Sequence, residues 1–146
     1  MDDHLEQLYQ EIILDHSKRP RHERELHPCT GRSEGYNPLC GDKVTVFVRE
    51  ENGKIAEASF VGEGCAISRA SASIMTTLLA GLTPEQAHAK AHEIYEMLTK
   101  AEDPALDLVE NGEIAALAGV RKFPARIKCA TLAWHALEDA LHGEDS

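Results

Sequence analysis

The 146-residue sequence predicts an α+β domain in which helices cover one face of a small antiparallel sheet. Three observations carry this expectation. An amphipathic helix pattern opens the chain, two β-rich segments joined by Asn52-Gly53 follow it, and helical periodicity then returns as far as Leu141. The length suits one hydrophobic core, so residues 1–146 are expected to form a single domain.

Leu5, Leu8, Tyr9, Ile12 and Ile13 recur at the three-and-four spacing of one helix face, which predicts a first helix ending before Pro20. Residues 17 to 35 contain Pro20, Pro28, Gly31 and Gly35 without periodicity and read as an extended connection into NPLCGD. Val44, Val46 and Val48 alternate with Thr45, Phe47 and Arg49, ENGK supplies a turn, and IAEASFV completes a β-hairpin. GEGC breaks the second strand. Ile67, Ile74, Met75, Leu78 and Leu79 restore helical spacing, with Gly81 placed to end that helix.

Thr83, Pro84 and Gln86 form a helix-start signature, with an N-cap, a proline at the first helical position and a capping-box partner. This helix should run to about Lys100, before Asp103-Pro104. Residues 105 to 121 offer short helical pieces around ALDLVE and EIAALA, separated by Asn111-Gly112. A final helix is expected from about Pro124 to Leu141, with Ile127, Ala130, Trp134, Leu137 and Leu141 on its apolar side.

A formal net charge of -10 argues against nucleic-acid binding, which rests on clustered Lys and Arg. The basic exceptions are SKRPRHERE at 17 to 25, and Arg121, Lys122, Arg126 and Lys128. Patches of that size suit a protein partner or a local anionic site. The first residues lack the basic flank and apolar run of a signal peptide, and no later run reaches membrane-spanning length, so the expected location is the cytoplasm, without membrane contact. In that compartment the four cysteines point to metal binding or thiol chemistry rather than to disulfides.

Cys40 lies in the NPLCGD turn and Cys65 at the strand-to-helix junction GEGCAIS, where a helix N-terminus favours the anionic form of a thiol. Gly62 and Gly64 let the backbone approach a bound species closely. Asp42 follows Cys40 by two positions, so the two can turn toward one point. With Cys65 and Cys129 they make three thiolates and a carboxylate, a donor set for tetrahedral zinc, although sulfur ligands equally suit an iron-sulfur cluster. Separations of 25 and 64 positions between the three cysteines carry no metal signature, and buried core thiols remain the alternative. Cys29 reads as a loop thiol. His88 and His92 share a helix side but read as a solvated face, because two ligands make no site. The other histidines, His16 and His135 among them, show no partner pattern.

Together, NPLCGD, GEGCAIS and RIKCATLAW, preceded by LEQLYQEIILDHSKRPRH, resemble the U-type iron-sulfur assembly proteins, and the SufU branch more than the IscU scaffold. The similarity runs from about residue 4 to residue 141. It implies a three-stranded antiparallel sheet with the cysteines gathered at one end, and Cys40, Asp42, Cys65 and Cys129 as metal ligands. The scaffold branch has a histidine just before the third cysteine, where this chain has Lys128. Its chaperone-recognition segment, Leu-Pro-Pro-Val-Lys, is matched here only by Pro124 and, in charge, Arg126.

The resemblance therefore implies a zinc-dependent sulfurtransferase. Cys40 would accept persulfide sulfur from a PLP-dependent, SufS-type cysteine desulfurase, released for that role when a histidine of the partner replaces it on zinc. Arg126 and Lys128 would supply supporting charge, and the sulfur would pass to downstream iron-sulfur assembly machinery. A scaffold for a transient 2Fe-2S cluster and a structural zinc module are the competing readings.

Overall fold

The computed structural model describes residues 3–38, 41–99 and 112–141. Helix α1 (Asp3–Lys18) precedes strands β1 (Gly31–Asn37), β2 (Asp42–Glu51) and β3 (Lys54–Glu63). Helices α2 (Ala66–Leu79) and α3 (Pro84–Thr99), a 3-10 helix (Gly112–Lys122) and α4 (Pro124–Leu141) follow. The strands form one antiparallel sheet in the order β1-β2-β3, which is the α+β arrangement expected. The 3-10 helix contains EIAALA, whereas ALDLVE lies outside the described residues. Among the described residues no helix is long and apolar enough to cross a membrane.

The β2-β3 hairpin turns at Asn52 and Gly53, whose φ angles of 54° and 77° are both left-handed. That is the type I′ turn for which Asn-Gly is suited, and it closes on the pair Glu51 and Lys54. Alternation along the strands then decides what faces the helices. Val48 pairs with Ala58 and Val46 with Phe60, and all four join the core with α2 and α4. Phe47 points the other way, where the His27 ring meets it edge-on and the Arg32 guanidinium lies over it.

The connection read from residues 17 to 35 is partly a strand. β1 has no apolar alternation, because its inward positions are Gly31, Ser33, Gly35 and Asn37, and α4 lies directly on them. A Cβ at Gly31 would stand 1.8 Å from the Ala140 carbonyl oxygen, and one at Gly35 would stand 2.9 Å from Leu132 Cδ1. Small residues let the helix sit close, and the absence of apolar side chains at these positions hid the strand from pattern reading. The earlier part of the connection runs beside the outer edge of β3, where Phe60 N–H donates to the His22 carbonyl at 3.0 Å and shields the sheet edge.

Helix α2 is buried on most sides, which explains its run of small residues. Ser71 Oγ donates to the Ala130 carbonyl at 2.5 Å and accepts from Trp134 Nε1 at 3.1 Å, fixing α2 to α4. Ser73 Oγ bonds His16 Nδ1 at 2.7 Å and accepts from Arg21 N–H at 2.8 Å, fixing α2 to α1 and the chain beyond it. His16, to which the sequence assigns no partner, is thus a fully buried link. The capping box of α3 forms as expected, with Thr83 N–H on Gln86 Oε1 at 2.9 Å and Gln86 N–H on Thr83 Oγ1 at 3.2 Å.

Helices α3 and α4 share a polar cluster that takes in His88, read from the sequence as part of a solvated face with His92; His88 is partly buried, whereas His92 stays exposed. His88 Nδ1 lies 2.9 Å from Glu138 Oε2, the Tyr95 hydroxyl donates to Glu138 Oε1 at 2.5 Å, and the His135 ring stacks on Tyr95. Burial alone pushes the Glu138 carboxyl up, but the hydrogen bonds from Tyr95 and His88 outweigh it and hold the group below its ordinary value. Burial, with Glu138 beside it, pushes the Tyr95 hydroxyl up.

Two outcomes follow for stability. Gly31→Ala forces its new methyl into backbone and should destabilise the fold by about 1–3 kcal/mol in urea unfolding, whereas Gly119→Ala, whose Cβ meets nothing within 4 Å, should cost far less. Glu138 has a depressed folded-state value, so its stabilisation is present above the ordinary carboxylate range and is lost as pH falls through the folded value. Glu138→Gln should therefore lower stability at neutral pH and flatten the loss seen below about pH 5, measured as melting temperature against pH.

Candidate metal centre

One end of the sheet meets the N-termini of two helices. Asp42 opens β2 and pairs with Asn37, the last residue of β1. Even-numbered positions of β2 face the helices, so the Asp42 carboxylate points to the same side as Val44 and Val46 and is fully buried. Cys65 is the N-cap of α2, and Cys129 lies in the second turn of α4, also fully buried. One ligand atom from each of Asp42, Cys65 and Cys129 lies within 4.8 Å of the other two.

The carboxylate organises this cluster. Cys65 N–H donates to Asp42 Oδ1 at 2.8 Å, and the Cys65 thiol stands 3.7 Å from Oδ2. The Cys65 sulfur in turn accepts Ser68 N–H at 3.5 Å, taking up one of the unpaired amides at the start of α2. Asn37 Nδ2 reaches Cys129 Sγ at 3.8 Å. Gly64 has a φ of 145°, and a Cβ there would stand 2.2 Å from Asp42 Oδ1. Glycine is therefore required both by the backbone and by the approach of the carboxylate. Gly41, at φ 72°, donates its N–H to the Asn37 carbonyl at 2.8 Å and closes the turn that precedes β2.

Two thiols and a carboxylate are donors for zinc, and a tetrahedral site needs one more. Burial gives a further reason to expect a cation. A carboxylate removed from water needs a compensating charge, and among the described residues no Lys, Arg or His pairs with Asp42. The residues present thus fit a divalent ion.

Of the residues singled out in the sequence, Asp42, Cys65 and Cys129 come together. Cys40 lies outside the described residues. Arg126 and Lys128 are exposed on the first two turns of α4, and Cys29 is half-buried and outside the cluster. Sequence reading passed over Asn37 and the Ser68 amide. Asn37 was visible inside NPLCGD, but its role follows only from the pairing of β1 with β2.

The sequence profile described as the NifU-like N terminal domain matches residues 8–141. The iron-sulfur cluster assembly scaffold protein IscU of Streptococcus pyogenes serotype M1 is 44% identical over 137 residues, covering 94% of this chain and 84% of its own. The zinc-dependent sulfurtransferase SufU of Bacillus subtilis (strain 168) is 42% identical over 142 residues, covering 97% and 94%. Among solved structures, the SUF-system protein FiSufU of Fervidobacterium islandicum AW-1 aligns with a TM-score of 0.82 at 33% identity, over 96% of this chain and 99% of that one.

The geometry at Gly64 gives a direct test of the cluster. Gly64→Ala displaces the Asp42 carboxylate and should weaken zinc binding at least tenfold, by an order-of-magnitude reading of lost ligand orientation. Competition with a chelator measures this, with Gly119→Ala as the control. Zinc affinity unchanged in Gly64→Ala would remove Asp42 from the site.

Proposed function

The chain belongs to the family of NifU-like N-terminal domains, and on that premise we propose that it serves iron-sulfur cluster assembly as a zinc-dependent sulfur acceptor, taking persulfide sulfur from a PLP-dependent cysteine desulfurase. The observation that carries this reading is the convergence of Asp42, Cys65 and Cys129 at one end of the sheet, next to a lysine rather than an imidazole at position 128. The similarity to the Bacillus subtilis zinc-dependent sulfurtransferase SufU supports it.

In this reading Cys40 is the fourth ligand and the acceptor. It stands two positions before Asp42, and two residues span at most about 7 Å. Zinc, when bound, would keep the coordinating thiols deprotonated, the form that attacks sulfur. The Cys40 thiolate attacks the outer sulfur of the desulfurase persulfide, a new S–S bond forms on Cys40, and the desulfurase thiolate leaves. One S–S bond replaces another, so no oxidant is consumed. Asp42 and the α2 N-terminus keep Cys65 in place, and Asn37 does the same for Cys129.

Arg126 and Lys128 supply charge at the rim. Arg126 occupies the first turn of α4, where the helix dipole disfavours a cation, so helix stability does not account for it. Three thiolates and a carboxylate around a divalent ion leave a net negative centre, and both basic residues offset it while drawing in a partner. Tyr36 and Phe123, each 61% exposed, stand beside Asn37 and Pro124 in sequence and give that partner apolar anchors.

The second reading, a scaffold on which a transient 2Fe-2S cluster is built, is favoured by the scaffold name of the Streptococcus pyogenes relative. Desulfurase turnover measured with and without the protein separates the two. Wild type should stimulate turnover, and Cys40→Ala should reduce that stimulation to background while Cys29→Ala retains it. Stimulation that survives in Cys40→Ala contradicts the acceptor role. A stable iron-sulfur chromophore without stimulation supports the scaffold.

A further inference from the structure

Two imidazoles and a carboxylate meet between α3 and α4, away from the thiols. Glu138 follows Cys129 by nine positions on α4, about 13 Å along the helix axis. His88 and His92 stand one turn apart on α3 and approach the same carboxylate oxygen: His88 Nδ1 lies 2.9 Å and His92 Nε2 3.7 Å from Glu138 Oε2. We propose that His88, His92 and Glu138 form a second, exchangeable site for a divalent transition-metal ion.

The donor types suit such an ion. Two imidazoles and a carboxylate bind zinc, nickel and copper, with ligand bonds of about 2.0–2.2 Å. Ligands on a shared ion at those bond lengths sit roughly 3–3.5 Å apart; the two contacts with Glu138 bracket that range, whereas the ligand nitrogens of His88 and His92 stand more than 4.8 Å from each other. Closure needs the His92 ring to swing toward His88, and its side chain is 69% exposed. The ion can reach the site from solvent for the same reason.

The carboxylate is held ready. Tyr95 donates to Oε1 at 2.5 Å, which turns Oε2 toward the histidines. The Tyr95 ring is fixed by His135, stacked on it at 4.5 Å between centroids. Tyr95 is thus a positioning residue that orients a ligand through a hydrogen bond. Without an ion, two imidazoles compete for one oxygen, and a bound cation replaces both contacts with ligand bonds. Such an ion would also clamp α3 to α4.

The test uses the full chain with its thiol site saturated with zinc. Further zinc, titrated by calorimetry, should show a second binding event in the micromolar range and raise the melting temperature by mass action. His92→Ala should weaken that event at least tenfold, and Tyr95→Phe should weaken it about tenfold. His27→Ala, which removes a histidine paired with its neighbour Glu25 and set edge-on to Phe47, away from α3 and α4, should leave it unchanged. His92 is exposed, so its loss leaves the fold intact. No second event, an event of equal strength in His92→Ala, or one equally weakened by His27→Ala overturns the proposal.

Discussion

The hydrogen bond from Cys65 N–H to the buried Asp42 carboxylate joins the start of β2 to the start of α2, and the functional end of the molecule is assembled around it. It can form only because Gly64 lacks a side chain and holds a left-handed conformation. The same bond gives a buried carboxylate one strong partner while leaving Oδ2 directed at sulfur. A carboxylate so placed favours a cation over any apolar filling of the site.

Everything that carries Cys129 to this point depends on close contact between α4 and the sheet. Gly31 and Gly35 bring α4 down on β1, and Ser71 pins the helix from the other side through Ala130 and Trp134. Trp134 is fully buried, so the helix cannot slide along β1 without opening the core. Asn37 then meets Cys129 at the end of the strand that α4 covers. The sheet's inward row thus passes from apolar residues in its middle to the candidate ligand Asp42 and its neighbour Asn37 at its end.

Much of this was legible in the residues. The Asn-Gly hairpin, the Thr83 capping box and the Pro124 helix start are local signals, and each formed where the pattern placed it. Asp42 stood out as a candidate ligand because it follows Cys40 by two positions, and the strand β2 then places it on the same buried face as Val44 and Val46. Strand β1 was not legible, since its inward positions are glycine, serine and asparagine, chosen for what they allow α4 to do. The Glu138 cluster was hidden for a related reason. Its histidines lie on α3 and its carboxylate on α4, so only tertiary packing reveals that they meet. Spacing likewise could not bring Cys65 to Cys129, which the fold does through α2 and α4.

The most direct measurement is zinc-edge X-ray absorption on anaerobically purified protein with one metal per chain. Ligation by Cys40, Asp42, Cys65 and Cys129 predicts three sulfurs at about 2.3 Å and one oxygen at about 2.0–2.2 Å. Cys40→Ala should remove one sulfur from that shell and leave the oxygen. A shell containing nitrogen from histidine, or one with three sulfurs that persist in Cys40→Ala, would contradict the assignment.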